Sequence, residues 1–422
     1  MRRFIVPLVT AVALVSIILV GCAPKAAQPT APTAPTAPTA PTAPTAPTAP
    51  TAPTAPTAPT APAAPTAELP KGWPREVIYP PENPLEGLGV KPDGTPYEVH
   101  HICFGSTHPM CVWGDEWFLE LGRRAGANAI DNSIPYDPAG QLAVVEDIYL
   151  LHPDALILWS IEEAMMLPIL EKYQAAGIDV YQEDHEIMSP VIIGCSRHSG
   201  LGMGRAGGIF AMETAQKLNK PFKALVVNGY LGATPGIVRP LGFKTIAYDN
   251  PQWLQVVAET PECMWKDAPA ADAVMSMIPA HPEINCIYEP GGMLGGVIEG
   301  LRSVGQLYPV GHPDHIFVIG LNDDGRAPDY IEGGWIDGAI EHSNYKTMGE
   351  SFKMFIFHTC LGQTLPVRDQ VLDSIIYTKD MIGTEMWDLS WDVLKRKGVA
   401  IEDIPLIDWG YLPIPGKVTV LD

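Results

Sequence analysis

From Pro29 to Pro65 a proline stands at every third position, in Ala-Pro-Thr repeats. Proline fixes φ and carries no N–H, so this stretch can form neither a helix nor a sheet ladder. It favours an extended polyproline II spacer, reaching on the order of 120 Å over roughly 39 residues at about 3.1 Å each. Any packed core must therefore come from residues 68–422. The repeat threonines are also candidate glycosylation sites.

The residues before the repeat explain why a spacer is there. Arg2 and Arg3 precede an apolar run from Phe4 to Val20, which ends in Leu19-Val20-Gly21-Cys22. The run falls short of the about 20 apolar residues of a spanning helix and reads as an export signal. Its ending resembles a bacterial lipobox, which implies cleavage before Cys22 and lipid attachment to that cysteine. Stable anchoring needs more than one acyl chain, and a lipoprotein cysteine supplies them. The expected organisation is a signal over 1–22, a disordered tether over 23–67 and an extended lead-in over 68–96. The expected location is extracytoplasmic, lipid-anchored to the cell membrane.

The body is too long for one small core, so two domains are expected. With 48 acidic against 27 basic residues and a formal charge of -21, the chain is unsuited to nucleic acid or to a basic membrane-surface patch. Membrane contact is expected through the lipid anchor only, and the body is expected to be a monomer. Six cysteines accompany Cys22: Cys103, Cys111, Cys195, Cys263, Cys286 and Cys360. An oxidising compartment permits pairs such as Cys103–Cys111 or Cys263–Cys286. The favoured reading is that they are buried small hydrophobes, because several lie in or beside apolar runs.

Short apolar runs at 99–104, 155–159, 191–194, 224–228, 286–288 and 316–320 alternate with helical patterns at 116–128, 140–151, 162–175, 204–218, 270–278, 293–304 and 345–360. Such alternation predicts an α/β fold: parallel sheets, helices on both faces and right-handed crossovers. Ligands of such sheets bind beyond the carboxyl ends of the strands.

Two local patterns suggest other chemistry. Gly202-Met203-Gly204-Arg205-Ala206-Gly207 fits a dinucleotide fingerprint, but it lacks the tight strand-to-helix turn and the later acidic residue. Close helix packing is the better reading of these glycines, and no cofactor is expected. His100, His101, Cys103, His108 and Cys111 hold metal-ligand types, with His101 and Cys103 on one strand face. No Cys-x-x-Cys or helix-borne pair supports them, and no Gly-x-Ser-x-Gly elbow is present.

Five stretches in order carry a resemblance: Gln141–Asp147, Pro153–Leu158, Ala176–Val180, Ala280–Glu289 and His315–Asp323. Over about Tyr97–Ile382 the chain resembles the class I periplasmic binding proteins of the ribose and galactose type, the substrate-binding components of sugar ABC transporters. The resemblance implies two Rossmann-like lobes with parallel sheets, joined by a three-strand hinge that closes on a ligand. The first lobe would span 97–196 and 343–372, and the second 197–342 and 373–385. The tail 386–422, with Trp387, Trp391 and Trp409, would pack over one lobe.

The resemblance also implies a ligand set. Family positions fall on Asp184, His185, Asn322 and His342, near Arg239, and on Glu289 at the start of Glu289-Pro290-Gly291. Trp113 or Trp117 in the first lobe and Trp253 or Trp265 in the second would provide aromatic platforms. Carboxylates and amides pair with neighbouring hydroxyls, while an indole face packs on a sugar ring. The expected function is a non-enzymatic one: capture of a small polar solute, a sugar above all, and delivery to an ABC transporter permease. Alternatives are a ligand-presenting receptor for a sensor kinase or chemoreceptor, and an exported metal-dependent hydrolase using the His100–Cys111 cluster.

Overall fold

The computed structural model describes residues 77–78, 82–103, 105–185, 189–322 and 324–407. Cys22, the export signal, the proline repeat and Trp409 lie outside the described residues. The strands, in chain order, are β1 (Val77–Ile78), β2 (Glu98–Ile102), β3 (Asn128–Asp131), β4 (Ala155–Leu158), β5 (Asp179–Glu183), β6 (Gly194–His198) and β7 (Phe222–Val226). They continue as β8 (Leu254–Glu259), β9 (Cys286–Glu289), β10 (Phe317–Asn322), β11 (Gly338–Glu341), β12 (Asp369–Leu372), β13 (Ile376–Tyr377) and β14 (Leu406–Ile407).

Two six-stranded sheets form, ordered β12-β6-β5-β4-β2-β3 and β13-β11-β10-β9-β7-β8. The first is parallel throughout, and in the second only β13 runs antiparallel, against β11. Both share the doubly wound 2-1-3-4-5 order, whose crevice lies where the order reverses. Continuous burial marks the central strands, as in Ala155-Leu156-Ile157-Leu158 and Cys286-Ile287-Tyr288-Glu289, because helices cover both faces. β6 is displaced from the apolar run predicted for it: Val191–Ile193 precede the strand, which runs through Gly194-Cys195-Ser196-Arg197-His198.

The helices that position the site are α1 (Pro109–Ala125), α2 (Pro138–Leu151), α3 (Glu163–Ala176), α4 (Gly200–Leu218) and α5 (Thr234–Asp249). α1 starts with Pro109 and stops at Gly126, whose φ of 76° is the left-handed conformation glycine adopts freely. The Gly202–Gly207 stretch lies within α4 and serves packing. A Cβ on Gly204 would stand 2.0 Å from the carbonyl oxygen of Arg239 on α5, so the two helices approach backbone to backbone. That approach sets where Arg239 emerges.

The tail departs from expectation, because it reaches both lobes. Trp391 stacks on Tyr345 with centroids 4.7 Å apart and joins the first lobe's core, whereas Trp387 and Val393 pack into the second lobe's core. Arg124 donates to the carbonyls of Glu402 and Ile404 at 3.1 and 3.0 Å, and β14 pairs with β1. Among the described residues no helix is long and apolar enough to cross a membrane. All six described cysteines are thiols, five of them buried. Burial pushes the Cys286 and Cys103 thiols well up, which keeps them protonated.

Candidate functional site

The chain passes between the lobes near His198, Ser343 and Ser374, and one side chain ties all three passages. His198 ends β6 and is 3% exposed. Its Nε2 accepts the Ser343 N–H at 3.3 Å, which leaves the ring proton on Nδ1, 2.9 Å from Ser374 Oγ. Burial, joined by the neighbouring His342, brings its pKa down to about 3.

Beside this staple lies a buried polar group drawn from both lobes. Asp184 follows β5 with a φ of 56°, a left-handed conformation that aspartate tolerates better than most residues. His342 follows β11 and donates from Nε2 to Asp184 Oδ1 at 2.6 Å. Arg239, on α5, holds Nη2 at 3.2 Å from His342 Nε2 and 3.9 Å from Asp184 Oδ2, while Nη1 donates to the Pro290 carbonyl at 3.1 Å. Burial alone would raise the Asp184 pKa, but His342 and Arg239 outweigh it and hold the carboxyl well below the usual carboxylate range. His185 donates from Nδ1 to the Ser160 carbonyl at 2.7 Å, and burial lowers its pKa. Trp159, just after β4, sets its ring edge-on to both His185 and His342, with centroids 5.7 and 6.4 Å away.

Four of the residues singled out from the sequence, Asp184, His185, Arg239 and His342, thus come together. Trp265 joins them: its ring lies 5.9 Å from the Arg239 guanidinium carbon and fills the space above Gly229, where a Cβ would meet the indole at 2.0 Å. Met264 and Trp265 both have a φ of 55°, which for bulky side chains marks a strained turn.

The other candidates lie elsewhere. Glu289 turns Oε1 into its own loop, accepting from the N–H groups of Gly291 and Met293 at 2.6 and 3.1 Å. Asn322 donates to Asp392 of the tail and accepts from the Ala327 N–H at 3.3 Å. Trp113 presses its ring against Gly325 of the other lobe. Trp117 is fully buried in the first lobe's core beside Tyr345 and Trp391. Trp253 sits just before β8, at the amino end of its sheet and opposite the crevice. Of the supposed metal cluster, Cys103 and Cys111 pack with Met110 and Trp159, and His100 turns to Glu98 and Asn132. His198 and Trp159 carry no sequence signal of their own, since a residue at or just past a strand end acquires meaning only once the strands are placed.

Among the described residues, two cavities open between the lobes. The larger, about 350 Å³, is lined by Gly105, Thr107, His108, Pro109 and Tyr136 on one side and by Met264–Asp267, Gly292, Asp324 and Arg326 on the other. Its size suits a small molecule, and an indole with several ionic groups forms its wall. The smaller, about 140 Å³, is bounded by Asp184, His185, His198 and Arg239.

Comparison with known proteins agrees with this fold. Residues 115–356 match the model of a family described as periplasmic binding protein domain. The fold is similar to a Bacillus halodurans ABC transporter solute-binding protein with bound myo-inositol (18% identity, TM-score 0.60, 68% of this chain and 95% of that one). It is also similar to a periplasmic ribose ABC transporter protein of Conexibacter woesei (17% identity, TM-score 0.60, 71% and 96%). A third likeness is to the binding component of a Shewanella arabinose ABC transporter bound to L-arabinofuranose (17% identity, TM-score 0.63, 72% and 97%). No curated protein matches in sequence. With the family match spanning more than half of its length and two doubly wound lobes meeting at a crevice, this chain belongs to the periplasmic binding proteins, an extracytoplasmic solute-binding family.

Proposed function

We propose that the chain captures a small polyhydroxylated solute, a sugar or cyclic polyol, between its lobes and delivers it to an ABC transporter permease. The observation that carries this reading is the buried Asp184–His342–Arg239 group beside the Trp265 ring. A carboxylate accepts from two neighbouring hydroxyls, a guanidinium donates to two more, and an indole covers the apolar side of a ring. Such a site rejects a ligand that lacks a hydroxyl, because the buried partner is left unpaired. Likeness to structures that hold myo-inositol and L-arabinofuranose supports the same ligand class.

Cys22 carries the lipid in this reading, and the Ala-Pro-Thr repeat is the leash. A tethered binding protein stays near its permease at an effective concentration set by the length of the leash. The work is binding and release, with no bond made or broken.

Thermal unfolding with a panel of pentoses, hexoses and inositols tests the proposal. A ligand at 100 times its Kd adds about 2.7 kcal/mol of stability, several degrees in Tm. A rise with at least one polyol is expected; no rise with any member, alongside a rise with amino acids or peptides, overturns the assignment.

A further inference from the structure

Beneath the loop that walls the larger cavity lies a cluster of side chains the solute site does not use. His101 on β2 is fully buried. Its Nε2 lies 3.1 Å from Glu183 Oε2, at the end of β5, and Glu183 is itself held by the Thr347 hydroxyl at 2.9 Å. The imidazole is thereby oriented from behind. Its Nδ1 points the other way, 3.0 Å from Asp115 Oδ1 and 3.7 Å from Asp131 Oδ1, yet makes no hydrogen bond of acceptable geometry to either. A buried ring nitrogen aimed between two carboxylates without bonding to them is the arrangement a metal ion resolves.

Distances agree with that. Zinc binds imidazole nitrogen and carboxylate oxygen at about 2.0–2.2 Å, which separates tetrahedral donors by roughly 3.3 Å. The 3.0 and 3.7 Å gaps bracket this value, and all three donor atoms lie within 4.8 Å of one another. The carboxylates are already positioned: Ser133 donates its hydroxyl to Asp115 Oδ1 at 2.9 Å and its N–H to Asp131 Oδ1 at 3.0 Å. Charge points the same way: three carboxylates, Asp115, Asp131 and Glu183, crowd one imidazole, and a dication offsets most of their charge. The Asp131 side chain is 27% exposed, which gives an entry path and leaves room for a water as the fourth ligand.

We propose that His101 Nδ1, Asp115 and Asp131 bind one divalent transition-type cation, zinc above all, with Glu183 holding the imidazole as the outer partner. An imidazole among the ligands selects zinc-like ions over magnesium or calcium. The ion clips β2, β3 and α1 together, since His101 and Asp131 are register partners and Asp115 stands on α1. It thereby steadies the Gly105–Pro109 segment that walls the larger cavity.

The full chain, stripped with chelator and dialysed, is titrated with zinc by calorimetry, with bound metal counted by mass spectrometry. One zinc per chain and a raised Tm are expected. Asp131→Asn, partly exposed and so compatible with folding, should weaken binding at least tenfold, and Glu183→Gln by 10–100-fold. Absence of zinc binding below millimolar concentration overturns the proposal. So does binding that Asp131→Asn and His101→Gln both leave unchanged, and so does an NMR spectrum at saturating zinc in which both His101 ring nitrogens keep their protons.

Discussion

His342 Nε2 donates to Asp184 Oδ1 at 2.6 Å, and this bond joins the end of β11 in one lobe to the end of β5 in the other. Both side chains are almost wholly buried, so their attraction is little screened. Because the folded pKa of Asp184 is depressed, the stability it contributes is present above its unfolded value near about 3.9 and is lost as pH falls below that. Removing one partner of a buried pair costs about 3–5 kcal/mol, because the other charge is stranded. Asp184→Ala is therefore expected to unfold at markedly lower urea than the parent at pH 7, with the gap closing toward pH 3.

His198 should govern the hinge through protonation. Its folded pKa of about 3 lies below the unfolded value near about 6.5, so its contribution is present above pH 6.5 and is lost as pH falls toward 3. The shift corresponds to about 5 kcal/mol across that window. His198→Ala removes the bonds to Ser343 and Ser374 and with them this dependence. Urea midpoints between pH 4 and 7 should slope less steeply in the variant than in the parent; equal slopes would assign the acid sensitivity to other groups.

Asp392 is expected to act with the opposite sign. Burial pushes its pKa up to about 7, helped by Glu341 and Asp324, although the Asn322 amide pulls it down. A raised carboxyl stabilises the fold fully below its unfolded pKa near about 3.9, and that contribution is lost as pH rises toward 7. The size is at most about 4 kcal/mol, reduced by its partial exposure. Asp392→Asn keeps an acceptor for Asn322 and removes the titration. Amide exchange in the Trp391–Arg396 helix should then stay constant from pH 5 to 8 after correction for intrinsic rates, where the parent loosens.

Much of this arrangement was legible in the residues. Strand and helix alternation gave the α/β class, and the apolar runs at Ala155–Trp159 and Cys286–Tyr288 mark central strands within a residue or two. Edge elements were harder to read, because β12, Asp369-Gln370-Val371-Leu372, has two exposed residues and no apolar run. Asp184, His185, Arg239 and His342 come together from positions up to 158 residues apart, so resemblance could suggest them but periodicity could not. In the sequence His101 stands beside His100 and Cys103, which are not the groups its ring meets in the fold. Its partners Asp115, Asp131 and Glu183 are ordinary acidic residues until β2, β3, β5 and α1 are packed.

Gly229 offers a test of the aromatic wall. A Cβ there would meet the Trp265 ring at 2.0 Å, and Trp265 already occupies a left-handed turn. Gly229→Ala should cost about 1–3 kcal/mol through overpacking and turn the indole away from Arg239. Tryptophan fluorescence should shift in the unliganded protein, and polyol affinity should fall at least tenfold.

The central claim is that Asp184 and its partners are the solute's ligands. Calorimetric titration of the polyol that gives the largest rise in Tm measures this directly, comparing the parent with Asp184→Asn, which keeps the side chain's volume. One solute per parent chain is expected, with at least a hundredfold loss of affinity in Asp184→Asn while its circular dichroism stays unchanged. Equal affinity in the two proteins would place the solute elsewhere and contradict the account.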